Sequence, residues 1–144
     1  MLQLNKYLRE IGYSEKSFPF KKENISYYPD GDGFVPAEFY SLDSTLAMQI
    51  YSYLSYFRDN CADRVTPGRY IGNFIDDDEA HKEWLSDLEK IIYGYKLYAA
   101  TEEYQLKMLN RNYDSLTVED YSIIEKEMKK SNELLIKIFG QLGW

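Results

Sequence analysis

Arginines and a flat aromatic ring gather between residues 58 and 70: Arg58, Arg64 and Arg69, with Tyr70 directly after the last, set against Asp59 and Asp63. Arginine forks pair with phosphate oxygens and a tyrosine ring stacks on a base, so this group suits a small nucleotide-like ligand. A simpler reading makes Arg58–Asp59 and Asp63–Arg64 surface ion pairs of little energetic consequence. The next group is opposite in sign. Residues 76–90 carry seven acids and two lysines, a net −5 out of −7 for the whole chain. Asp76, Asp77, Asp78 and Glu79 open this run, and Glu83 follows. Carboxylates at a helix start offset the positive end of the dipole, and such a face is usually just solvated. Less often it imitates a phosphate backbone or docks on a basic partner.

Catalytic and metal chemistry finds little to work with. His81 is the single histidine and sits in an acidic helical turn, where a solvated residue is the simpler reading. Cys61 is the single cysteine, which excludes an internal disulfide and a cysteine-built zinc site; at a helix end it reads as a small apolar filler. Asp30–Phe34 reads DGDGF, like the start of a calcium loop. The match fails further along, because Phe34, Val35 and Ser41 stand where such a loop needs an oxygen ligand, a glycine and a glutamate. A tight turn is expected there instead. With no glycine-rich phosphate loop or nucleophile elbow, the chain reads as non-catalytic, with no cofactor and no metal.

Composition narrows the class further. One hundred and forty-four residues, 44% apolar and 28% charged, suit one domain (1–144) with a real core. The acidic balance argues against bulk nucleic-acid binding or a seat on anionic lipid. No apolar run approaches the roughly 20 residues that span a bilayer. The start lacks the pattern of a secretory signal, so a soluble protein of a reducing compartment is expected.

The elements that must position these groups are helical. Leu4, Tyr7, Leu8 and Ile11 mark a short first helix stopped by Gly12. From Tyr13 to Tyr40, prolines and glycines forbid a long helix, yet aromatic residues abound. An irregular arm packed on helices is expected there, with room for one short hairpin. Leu46, Ala47, Ile50, Tyr51, Leu54 and Phe57 define a helix capped at Ser41 or Asp43 and ending near Asn60. A loop follows, with Pro67–Gly68 as its turn. The next helix begins at the acidic run and carries the clearest stripe: Ala80, Trp84, Leu85, Leu88, Ile91, Ile92, Tyr95 and Tyr98. Residues 101–113 extend it or form a separate short helix. Thr117 and Asp120 make a capping box for a last helix, with Tyr121, Ile124, Met128, Leu135 and Ile138 inward and Gly140 at its end. The expected fold is mainly α: a compact bundle of three to four helices in residues 41–144, with residues 1–40 as first helix and arm.

Residues 33–47, GFVPAEFYSLDSTLA, resemble a motif of a widespread family of small tailed-bacteriophage proteins, with Tyr40 where its members commonly have tryptophan. The likeness continues through Phe57-Arg58, Pro67–Gly68 and the series Trp84, Leu88, Ile91, Ile92, Gly94 and Tyr95, and loosely to a terminal Trp144. It implies phage origin and a helical fold, and assigns no activity. Two functions follow as expectations, both in the cytoplasm of an infected bacterial host. One is a counter-defence homo-oligomer sequestering a nucleotide-type immune signal with Asp43, Arg58, Asp59, Arg64, Arg69 and Tyr70. The other is an acidic inhibitor of a host defence nuclease, of the anti-CRISPR or DNA-mimic type, using Asp76, Asp77, Asp78, Glu79 and Glu83. A virion or assembly accessory is a plainer third.

Overall fold

The computed structural model describes residues 2–20, 30–39, 41–62, 66–67, 70 and 77–142. Among them five α-helices carry the fold: α1 (Lys6–Glu10), α2 (Leu42–Asn60), α3 (Asp77–Ala99), α4 (Glu102–Met108) and α5 (Val118–Ile138). Two 3-10 turns, Pro36–Phe39 and Phe139–Gln141, add to these, and no strand occurs among the described residues. The chain is a mainly helical bundle, as its periodicity implies. Helix α3 is central, packed on α2 and on α5. It runs antiparallel to α2: the Phe57 ring meets Trp84 at one end, while Tyr98 reaches Asp43 at the other.

Local chemistry sets the boundaries. Asn5 caps α1, its side chain accepting from the Tyr7 and Leu8 amides. Gly12 then takes φ +106°, the left-handed conformation that ends a helix at low steric cost. Thr101 caps α4 and separates it from α3, which decides between the two sequence readings of residues 101–113. Asn110 closes α4 at φ 58°, a conformation asparagine tolerates. Asp30 forms the expected tight turn: its carboxylate accepts from the Asp32 and Phe34 amides at 2.8 and 3.1 Å.

The core is one cluster that includes Leu8, Ile11, Tyr51, Trp84, Leu88, Ile91 and Ile138. Phe18 and Phe20 of the arm are buried in it, edge to face with rings 5.3 Å apart, whereas Phe34 and Phe39 stay exposed. Residues 21–29, where part of the hairpin was expected, lie outside the described residues, as do Tyr40, Gly68 and Trp144. Three sequence expectations are corrected. Leu46 points outward, because the buried face of α2 is rotated toward Thr45, Met48, Ser52 and Ser55. Tyr121 is exposed, because α5 turns Asp120, Ile124, Ser131 and Ile138 inward instead. Helix α5 stops at Ile138, two residues before Gly140, and the chain tightens into the 3-10 turn Phe139–Gln141.

The capping box of α5 anchors more than its own helix. Asp120, 1% exposed, accepts from the Thr117 amide at 3.0 Å, the Tyr113 hydroxyl at 2.6 Å and Arg111 Nε at 2.9 Å. The Tyr113 hydroxyl first, then the Thr117 amide, hold its carboxyl well below the usual carboxylate range. A pKa depressed by folding stabilises fully above the unfolded value near pH ~4, and that contribution fades as pH falls toward the folded value. Asp120→Asn is therefore expected to lower the melting temperature at pH 7 by roughly 5 °C. It should also flatten the loss of stability between about pH 4 and pH 2. Thermal melts across that range check both; an unchanged acid slope contradicts the assignment.

Candidate functional site

Among the described residues, those proposed for ligand capture fall at the two ends of α2 rather than together. Asp43 sits in the first turn of α2, where Tyr98 donates to its Oδ2 at 2.6 Å. That bond lowers the Asp43 pKa and, with burial, pushes Tyr98 up to about 12. Ser41 occupies the N-cap position without a side-chain capping bond. Arg58 lies fifteen residues further along the same helix, roughly 22 Å away by helical rise.

At that far end the charges are already paired. Arg58 Nε donates to Asp59 Oδ1 at 2.8 Å, and its Nη1 donates to Glu89 Oε1 at 3.0 Å on α3. Tyr7 completes the set by donating to Asp59 Oδ2 at 2.7 Å. Arg58 holds the Asp59 carboxyl below the usual range, while burial first and Asp59 second push Tyr7 up to about 12. This network ties α1, α2 and α3 together, so the Arg58–Asp59 pair reads as structural.

Tyr70 is also a core residue. Its ring is buried 5.4 Å from Trp84, and its hydroxyl donates to Asp87 Oδ2 at 2.6 Å. A ring packed this way has no face left to stack on a base. Arg64 and Arg69 lie outside the described residues. His81, half-buried rather than fully solvated, lies with Nδ1 2.7 Å from Thr66 Oγ1.

The acidic group keeps its surface character. Asp77, Asp78 and Glu79 are exposed on the first turn of α3, Glu83 is half-buried one turn on, and Asp76 lies outside the described residues. Tyr93 shares the helical phase of Glu79, fourteen residues or roughly 21 Å further along α3, whereas Asp77 points about 160° away from it. Tyr93 is partly exposed in a groove of about 490 Å³ between α3 and α5, together with Glu89, Glu127, Lys130 and Leu134. A second groove, of about 640 Å³, lies between α1 and α2 and is walled by Tyr7, Tyr53, Tyr56, Phe57 and Cys61. Lys6 Nζ sits over the Tyr7 ring at its edge, 4.9 Å from the centroid. Sequence reasoning missed both grooves. The tyrosine content was the available signal, but periodicity does not tell which rings stay outside.

Among the described residues, no group of three or more histidine, cysteine, aspartate or glutamate side chains converges to hold a metal ion. No helix there is long and apolar enough to cross a membrane. Comparison with protein-family models, curated proteins and solved structures returns no match.

Proposed function

We propose that this protein is a non-catalytic, phage-encoded counter-defence protein that inhibits a host protein by occupying a basic surface on it. Phage origin and action in the host cytoplasm rest on the resemblance of residues 33–95. The binding mode rests on one contrast. Arg58 is paired at the surface with Asp59 and Glu89 and Tyr70 is buried against Trp84, whereas Asp77, Asp78 and Glu79 are exposed on a single turn. Tyr93, in phase with Glu79 further along α3, supplies an aromatic anchor of the kind that carries interface energy.

An acidic patch meeting a basic one speeds encounter and weakens as salt rises. The triple reversal Asp77→Lys, Asp78→Lys and Glu79→Lys is expected to reduce rescue of phage plating on a defence-proficient host at least ~10-fold, in a variant that keeps its helical content and melts a few degrees lower because lysines replace the carboxylates at the helix start. Full rescue by the folded triple variant contradicts the reading.

A further inference from the structure

We propose that the outer face of α2 joins two copies of this chain, packed antiparallel about a two-fold axis. Helix α2 is apolar on two sides. Its inner side holds Ala47, Met48, Tyr51 and Leu54 in the core. On the opposite side Leu42, Leu46, Gln49, Tyr53, Tyr56 and Asn60 recur at alternating steps of four and three residues, the spacing of a coiled-coil seam. Four of these are large and uncovered: Leu42 at 44%, Leu46 at 46%, Tyr53 at 68% and Tyr56 at 59%. Just before the helix, Phe34 and Phe39 pack edge to face with centroids 5.9 Å apart and are exposed as well. A helix apolar on both sides is ordinarily covered on both.

Three observations select a second copy as the cover. The seam contains no ionisable carboxylate or amine, in a chain whose net charge is −7. Two copies therefore meet there without the like-charge repulsion expected of the acidic α3 face. A basic partner, by contrast, has nothing in this seam to pair with. The area also suffices. The six exposed side chains offer roughly 650 Å² per copy, about 1,300 Å² for a pair, within the range of stable specific interfaces.

The flanks then favour the antiparallel arrangement. Lys6 lines the groove beside Tyr53 and Tyr56 at one end of the seam. Glu38 lies on the same side at the other end, because its Oε1 accepts from the Leu2 amide at 2.9 Å and the N-terminal segment runs along α2 from there, with Asn5 bonded to Ser52. An antiparallel two-fold sets Lys6 beside the partner's Glu38, twice. It also opposes the two helix dipoles and brings the leucine end of one seam onto the tyrosine end of the other. A membrane surface fits less well, since Asp43 and Asp59 flank the stripe where an interfacial helix carries lysine and arginine.

Sedimentation equilibrium of the full chain tests the pairing. A dimer is expected, and Leu46→Lys with Tyr53→Lys should raise its dissociation constant at least ~100-fold while leaving the helical content of the monomer unchanged, because both sites are exposed in the single chain. A monomer at about 100 μM, or a dimer indifferent to both substitutions, overturns the proposal. Orientation is read by oxidation in a Cys61→Ser background. Gln49→Cys, near the axis, should cross-link, and Leu42→Cys should not; efficient cross-linking of Leu42→Cys overturns the antiparallel arrangement.

Discussion

Trp84→Ala is expected to lower the unfolding free energy by about 4 kcal/mol, a large share of the roughly 5–15 kcal/mol typical of a domain. The indole is buried where α2, α3 and the loop between them meet, flanked by Phe57 at 6.2 Å and Tyr70 at 5.4 Å. Its Nε1 donates to the Ala62 carbonyl at 3.3 Å, just beyond the end of α2. Removing the ring opens a cavity too large to collapse, strips the two aromatic neighbours of their contact and leaves that carbonyl without its donor. Urea denaturation followed by far-ultraviolet circular dichroism reads the loss. A drop below about 1 kcal/mol contradicts the central place given to this residue.

Gly94→Ala is expected to cost about 3 kcal/mol, although alanine is the better helix former by about 1 kcal/mol. The decision lies in the neighbours. A Cβ on Gly94 falls 2.5 Å from the Glu127 carbonyl oxygen and 2.7 Å from Ser131 Cβ, and it overlaps Ser131 Oγ. Helices α3 and α5 therefore make a close approach here, and Ser131 Oγ donates across it to the Lys90 carbonyl at 3.0 Å. A side chain could rotate aside; the Glu127 carbonyl belongs to the helix ladder and cannot. Adding Ser131→Gly removes only the side-chain part of the clash, so the double variant should recover part of the loss beyond additivity. Stabilisation by Gly94→Ala in the same denaturation assay contradicts the close approach.

These two positions also mark how far the sequence could be read. Trp84, Leu88, Ile91, Ile92 and Tyr95 are buried because α3 lies between two helices, and its 3.6-residue stripe is correspondingly plain. The capping box at Thr117 and the stop at Gly12 were legible because each is a local bond or dihedral set by neighbouring residues. The inward face of α5 was not. Half of its buried positions are polar, Asp120 for the cap and Ser131 for the close approach, so counting apolar side chains turned the helix toward Tyr121.

The candidate site was legible in parts only. Adjacent charges announced the Arg58–Asp59 pair, but its third member, Glu89, arrives from another helix and gives the arginine a second structural partner. Tyr70 next to Arg69 looked like a stacking surface; packing against Trp84 gives it a structural task that no spacing along the chain reveals. The acidic turn was readable because charge this dense has little choice but to face solvent.

The central claim is that a host protein is held at the acidic face of α3. Native mass spectrometry of the protein purified from phage-infected, defence-proficient cells tests it most directly, because subunit count, protein partner and small bound mass are read together. The expected result is a stoichiometric complex with one host protein that dissociates as ionic strength rises and is absent for the Asp77→Lys, Asp78→Lys, Glu79→Lys variant. A protein that carries a nucleotide-sized adduct and no host subunit contradicts the claim and moves the function to ligand capture.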